Sequence, residues 1–129
     1  MTATFTALRG IVLFAHGSRD PLWRLPIEAV AAQISAQQPG SLVRCAYLEI
    51  CEPDLSAATD ELVAAGATTL RVFPLFLGVG KHAREDLPVL VEQLRASHSG
   101  VRFSVQTAIG EDPRMTALMA KIACELPAG

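Results

Sequence analysis

The chain of 129 residues lacks the features that mark several protein classes. It has only three cysteines and no Cys-x-x-Cys pair, which argues against a disulfide framework or a zinc ribbon and favours a reducing compartment. It also has no cluster of basic residues. Its 11 Lys and Arg against 13 Asp and Glu give a net charge of −2, so nucleic acids and anionic membrane surfaces are poor candidate partners.

Long hydrophobic runs are lacking as well. The longest, Ile11–Ala15 and Val72–Val79, are much shorter than a membrane span. The N-terminus has no positively charged region, and Arg9-Gly10 interrupts its apolar stretch, so we expect no secretory signal. Half of the residues are nonetheless hydrophobic, which is enough for a buried core. We expect one cytoplasmic domain over residues 1–129, with a core at about 10–126.

Four short apolar runs predict β-strands. Runs of four to eight residues that are apolar on both faces are typical of strands buried in a parallel sheet. Each run is followed by a segment whose apolar residues recur at helical spacing, so strand and helix alternate four times. The four runs are Ile11–Ala15, Leu42–Leu48, Thr69–Leu77 and Val101–Thr107.

The helical segments each have one apolar face, which we expect to contact the core, and most begin near an acid–proline pair. Proline is tolerated in the first helical turn, and an acidic residue there complements the helix dipole. These pairs are Asp20-Pro21, Glu52-Pro53 and Asp112-Pro113, with Asp86-Leu87-Pro88 as a variant, and the first helix is expected to begin nearer Arg24. The faces are Ile27, Val30, Ala31 and Ile34; Leu55, Ala58 and Leu62; Leu87, Leu90, Val91 and Leu94; and Met115, Leu118, Met119 and Ile122.

The alternation predicts an α/β fold. Strands joined by helices form right-handed crossovers, which give a parallel sheet with helices on both faces. We therefore predict a small doubly wound four-stranded parallel sheet with the flavodoxin-like strand order 2-1-3-4. Ligands bind to such sheets beyond the carboxyl ends of the strands, where the strand order reverses, which here is between the first and third strands.

Three residues able to bind metal or transfer protons follow the first three strands. His16 follows the first strand, Glu49 ends the second and His82 follows the third, each 33 residues from the next. Two imidazoles and a carboxylate suit an open site for Co²⁺, Fe²⁺, Ni²⁺ or Zn²⁺. They equally form an acid–base set, because histidine titrates near neutral pH. The spacing alone leaves both interpretations open.

Other motifs are weaker. The segment Gly78–Ala83 fits a G-x-G-x-x-A dinucleotide fingerprint, but it follows the third strand and no acidic residue stands about 20 residues on. Ser18 is not in a G-x-S-x-G nucleophile elbow, so a serine hydrolase has no support. We interpret His98 as a surface residue at a helix end and Trp23 as a packing residue at the start of a helix.

Three blocks of sequence together resemble the small single-domain sirohydrochlorin chelatases. That family includes the short cobaltochelatases of cobalamin synthesis and the ferrochelatases of siroheme synthesis. The resemblance extends over residues 10 to 125. The blocks are His16–Pro21, Tyr47-Leu48-Glu49 with Pro53-Asp54-Leu55, and Val72–Leu77 continuing through Gly80-Lys81-His82 to Asp86-Leu87-Pro88.

The resemblance implies a chelatase-like fold and an ATP-independent chelatase, a lyase that inserts a divalent metal into a tetrapyrrole, sirohydrochlorin. The metal is a substrate, Co²⁺ or Fe²⁺ with Ni²⁺ also compatible, and no organic cofactor is implied. By the same resemblance His16 and His82 are the active-site histidines and Glu49 is a metal ligand. The single-domain form is implied to be a homodimer, and no nucleic acid or membrane is implied as a partner.

Polar residues beside these positions are candidates for substrate binding. Arg19, Lys81 and Arg84 could pair with substrate carboxylates, or could be solvated surface charges. Ser18 could hydrogen-bond the substrate or cap its loop. Two alternatives to a chelatase remain from the sequence: a non-catalytic metal or tetrapyrrole carrier with the same ligands, and a nucleotide-binding flavodoxin-like protein that uses Gly78–Ala83.

Overall fold

The computed structural model describes residues 8–128 and shows the predicted alternation of strands and helices. Two short 3-10 turns precede the first and last helices, at Pro21–Arg24 and Ile109–Glu111. No helix in residues 8–128 is long and apolar enough to cross a membrane. The elements are β1 (Arg9–Ala15), α1 (Leu25–Gln37), β2 (Leu42–Tyr47), α2 (Leu55–Ala64), β3 (Thr69–Pro74), α3 (Lys81–Ser97), β4 (Arg102–Val105) and α4 (Pro113–Ala123).

The four strands form one parallel sheet in the order β2-β1-β3-β4, which confirms the predicted topology. The central strand β1 pairs with both β2 and β3, so the strand order reverses between β1 and β3. In register, Ala15 lies opposite Tyr47 of β2, and Phe14 lies opposite Pro74 of β3. The carboxyl ends of the three strands therefore meet at one rim of the sheet.

The main core lies between the sheet and the helices α2 and α3. Alternate residues of β1 and β3 point to this side, and the inward faces of both helices pack on them. The predicted faces of α2 and α3 are confirmed, except that Leu90 is only partly buried. Fully buried members of this core are Val12, Phe14, Ala46, Ala58, Leu62, Leu70, Val72 and Phe76.

The faces predicted for α1 and α4 are not buried. Neither helix has a buried residue, and Leu118 and Ile122 of α4 are 46% and 55% exposed. Met115 and Met119 are half-buried, so their interpretation as core residues was wrong. The helical period places these apolar residues on one side of each helix, but their burial depends on what packs against that side. The main contact of α4 is with the second 3-10 turn, which leaves most of its surface to solvent.

Two of the predicted helix starts were also wrong. Helix α3 begins at Lys81, so Pro88 lies inside it instead of at its start. Helix α2 is capped by Asp54, whose side chain accepts a hydrogen bond of 2.8 Å from Ala57 N–H, and not by Glu52. At α4 the prediction is confirmed, because Asp112 caps the helix and Pro113 is its first residue.

Candidate active site

The backbones of His16 and Glu49 lie side by side at the rim. The hydrogen-bond ladder between β1 and β2 continues past the ends of both strands. Leu48 N–H donates to the Ala15 carbonyl at 2.8 Å, and Glu49 N–H donates to the His16 carbonyl at 3.1 Å. The topology therefore brings together two of the three residues predicted for the site, although they are 33 positions apart in the sequence.

Gly17 makes this close approach of the two loops feasible. Its φ is +108°, a conformation that residues with a side chain rarely adopt. A Cβ atom at this position would lie 1.9 Å from the carbonyl oxygen of Glu49. Position 17 therefore requires glycine for two reasons, the positive φ and the lack of room for a side chain where the loop after β1 passes the loop after β2.

The imidazole of His16 packs on the ring of Phe76. Their ring centroids are 4.3 Å apart and the planes are tilted by 36°. The contact follows from the sheet register: Phe14 lies opposite Pro74, so two residues further along each chain bring His16 opposite Phe76. Phe76 is 1% exposed, whereas His16 is exposed at the rim.

His82 is the second residue of α3, in its first turn, and is exposed. The helix begins directly after Gly80, its N-cap. In residues 8–128, no group of three His, Cys, Asp or Glu side chains is arranged to hold a metal ion. Metal binding by His16, Glu49 and His82 together therefore stays a prediction.

Comparison with known proteins decides the family. The model of the CbiX family matches residues 10–126, which is nearly the whole chain. The chain belongs to the CbiX family. This match follows the sequence blocks that contain His16, Glu49 and His82, and it favours a chelatase over the nucleotide-binding alternative based on Gly78–Ala83.

Relatives of this CbiX chain agree in sequence and in structure. Sirohydrochlorin cobaltochelatase from Sulfolobus acidocaldarius is 30% identical over 110 residues, which cover 85% of each chain. The crystal structure of a CbiX protein from Marinobacter aquaeolei VT8 has a TM-score of 0.75 and 32% identity, and the match covers 89% of this chain and 93% of that one. The sirohydrochlorin chelatase SirB from Bacillus subtilis, in complex with cobalt, has a TM-score of 0.74 and 25% identity. That match covers 89% of this chain but only 50% of SirB.

The predicted substrate-binding residues lie in the loop after β1 and in the first turn of α3. Ser18 Oγ accepts a hydrogen bond of 3.1 Å from Asp20 N–H, which agrees with a loop-capping role and leaves its own O–H free to donate. Arg19, Lys81 and Arg84 are exposed, and in the described part of this CbiX chain none of the three forms an ion pair. Their charges are thus accessible to an anionic ligand.

Sequence reasoning missed a groove beside this rim. It has a volume of about 390 Å³ and lies between α3 and the edge strand β4. Its walls include Phe76, Arg84, Val91, Val105 and Ala108. Phe76 therefore borders the groove and also contacts His16. The alternation of Val72, Pro74 and Phe76 continues beyond the end of β3, and this pattern was the available signal for an inward-facing Phe76.

Tyr47 forms a second aromatic cluster at the end of β2. Its side chain is buried, the Trp23 ring lies 6.0 Å away between centroids, and the Arg24 guanidinium lies 5.9 Å from its ring centre. This agrees with the interpretation of Trp23 as a packing residue at the start of α1. Burial is the main cause that raises the pKa of Tyr47 to about 12, and Cys45 raises it further, while Arg24 partly opposes the shift.

We expect Tyr47 to lose its proton at a higher pH in the folded protein than in the unfolded chain. The chain has a single tyrosine, so tyrosinate absorbance reports on Tyr47 alone. Its midpoint should be near pH 12 in the folded protein and near pH 10 in denaturant. Because the unfolded chain releases this proton first, the contribution of Tyr47 to stability is complete below pH 10 and is lost as the pH rises toward 12. Equal midpoints in the two states would contradict the burial argument.

Proposed function

We propose that this CbiX chain is an ATP-independent sirohydrochlorin chelatase that inserts Co²⁺ or Fe²⁺ into the tetrapyrrole. The observation that carries the proposal is the placement of His16 beside Glu49 at the rim formed by the carboxyl ends of the strands, next to the point between β1 and β3 where the strand order reverses. The position of His82 at the start of α3, directly after the β3 loop, supports it. The relative from Sulfolobus acidocaldarius is a sirohydrochlorin cobaltochelatase, and SirB is a chelatase seen with cobalt.

The proposed reaction exchanges a divalent metal for two protons. The metal ion loses water ligands and binds four pyrrole nitrogens, and the two pyrrole N–H protons leave, so charge is balanced. His16 and His82 share metal ligation and proton removal, since a neutral imidazole can do either near pH 7. Glu49 completes the ligand set and compensates part of the metal's charge. This exchange requires neither ATP nor an organic cofactor.

The exposed basic residues around the rim suit the carboxylates of the substrate. Arg19 and Arg84 can each bind a carboxylate through two N–H groups, and Lys81 supplies a point charge next to His82. The free O–H of Ser18 can donate one more hydrogen bond. We propose these four residues as contacts to the substrate carboxylates, with the metal-transfer residues beneath the macrocycle.

Anaerobic mixing of the protein with sirohydrochlorin and Co²⁺ or Fe²⁺ tests the proposal. We expect the tetrapyrrole absorbance to change faster than in a control without protein. We also expect the amount of product to exceed one metallated tetrapyrrole per site. A carrier with the same ligands would yield at most one metallated product per site, which separates it from an enzyme. Folded protein that accelerates the reaction with none of Co²⁺, Fe²⁺ and Ni²⁺ would contradict a chelatase.

We also propose that residues 1–129 form one domain, with a core at about 10–126, that works as a homodimer in the cytoplasm. Leu118 and Ile122 of α4 are exposed apolar residues that a second copy would cover, and SirB has about twice the length of this chain. The three cysteines are free, in keeping with a reducing compartment.

Sedimentation velocity at micromolar concentration should show a dimer. The substitution Leu118→Lys should shift the population toward monomer by at least about tenfold in dissociation constant, because it places a charge in the apolar contact. Val89→Lys is the matched control, since Val89 is 57% exposed on α3. A wild-type protein that sediments only as monomer would contradict the homodimer.

A further inference from the structure

We propose that Phe76 is a positioning residue that holds the imidazole of His16 in the orientation required for metal transfer. This inference rests on the proposed function and deepens it. Phe76 lies at the rim, yet it is 1% exposed and faces inward. Its ring is a buried surface on which the exposed imidazole of His16 rests, with 4.3 Å between the ring centroids.

Three contacts hold Phe76 and the strand segment beside it in place. Leu75 N–H donates to the Phe14 carbonyl at 2.7 Å, which extends the pairing of β1 and β3 to the residue before Phe76. Gly110 N–H donates to the Phe76 carbonyl at 3.0 Å. The Phe14 ring packs edge-on against the Phe76 ring at 5.8 Å. The backbone and the ring of Phe76 are therefore both held in place beneath His16.

The second 3-10 turn adds to this restraint. A Cβ at Gly110 would lie 1.6 Å from the Leu77 carbonyl oxygen, so the turn packs directly on the loop between β3 and α3. That loop contains Phe76 and leads to His82. These backbone contacts thus connect Phe76, on which His16 packs, with the segment that precedes His82.

Orientation matters because an imidazole can rotate. The χ2 torsion of histidine is broad, so an exposed ring without support samples many directions. Ligand histidines are commonly oriented by a hydrogen bond to the second ring nitrogen. For His16 the contact in the structure is the face of Phe76, whose tilted packing limits both side-chain torsions. A displacement of the reacting atoms by about 1 Å can reduce a rate by about 100-fold.

The first measurement is NMR spectroscopy of the metal-free wild-type protein. The ring signals of His16 are assigned by their loss in His16→Ala. We expect a nuclear Overhauser contact between the His16 and Phe76 rings, and a ring-current shift of the His16 signals. Absence of both would overturn the proposal without any Phe76 variant.

The second measurement compares Phe76→Leu with Phe103→Leu. Both remove an aromatic ring that packs in or against the same core, but Phe76 packs on His16, whereas the Phe103 ring lies 6.4 Å from the ring of His98. We expect Phe76→Leu to lose the ring-current shift and to lower kcat by about 10- to 100-fold, with the KM for the tetrapyrrole nearly unchanged. Phe103→Leu should keep the shift and most of kcat.

Two results would overturn the role of Phe76: unaltered His16 signals in Phe76→Leu, or an equal loss of kcat in Phe103→Leu. The two hypotheses fail separately. A wild-type protein without chelatase activity would contradict the proposed function, whereas the NMR measurements would still decide whether Phe76 orients His16.

Discussion

We expect the substitution His16→Ala to lower the turnover of sirohydrochlorin metallation by about 100- to 10,000-fold. This is the largest effect on activity that we expect of any substitution. The substitution removes a metal ligand and a proton acceptor at once. The reaction needs both, since the metal cannot bind all four nitrogens until the two N–H protons leave. Anaerobic absorbance assays with Co²⁺ and Fe²⁺ measure this loss, and circular dichroism checks that the variant is folded.

His98→Ala is the matched control for this prediction. His98 lies at the C-terminal end of α3, far along the helix from His82, where its Nε2 pairs with Asp60 at 2.9 Å and its ring lies 6.4 Å from Phe103. Its loss should leave turnover within about twofold of the wild type, because this contact lies at the opposite end of α3 from His82 and joins α3 to Asp60 of α2. Equal activity in His16→Ala and the wild type would exclude the role proposed for His16.

Gly17→Ala should have the largest effect on stability. The residue has a φ of +108°, and the new Cβ would lie 1.9 Å from the Glu49 carbonyl oxygen. Backbone strain of this kind costs about 1–3 kcal/mol, and the clash with a backbone atom forces the two loops apart in addition. We therefore expect the free energy of unfolding in urea to fall by at least about 2 kcal/mol. Chelatase activity should fall with it, because Glu49 moves away from His16.

Gly40→Ala provides the comparison. Gly40 is exposed between α1 and β2, and a Cβ there would meet no atom within 4 Å. Its replacement should leave stability unchanged or raise it by up to about 1 kcal/mol, because alanine restricts the unfolded chain. The interpretation of Gly17 would be wrong if Gly17→Ala unfolded at the same urea concentration as Gly40→Ala.

Local sequence patterns were sufficient to predict the architecture. The apolar runs beginning at Ile11, Leu42, Thr69 and near Val101 all correspond to strands, and right-handed crossovers left 2-1-3-4 as the favoured order. The same rules predicted that His16 and Glu49 lie at one rim. This worked because the apolar runs of strands and the periods of helices depend on residues that are close together in the chain, although β3 and β4 end earlier than their apolar runs.

Patterns were less informative about burial and helix boundaries. The apolar residues predicted to face the core recur at the same spacing in α1, α3 and α4, yet α1 and α4 contain no buried residue, since burial requires a surface to pack against. Pro88 suggested a helix start but lies inside α3, because the helix begins at Lys81, directly after its N-cap Gly80. Neither outcome can be deduced from spacing alone.

The sequence by itself determined the family, the order of elements and which polar residues stand at the carboxyl ends of the strands. Only the tertiary structure decided that His16 rests on Phe76 and that Gly17 must be glycine to pass the Glu49 carbonyl. The physical reason is register. These contacts join segments 32 to 60 positions apart, and which residues meet is set by how neighbouring strands align, which no single segment encodes.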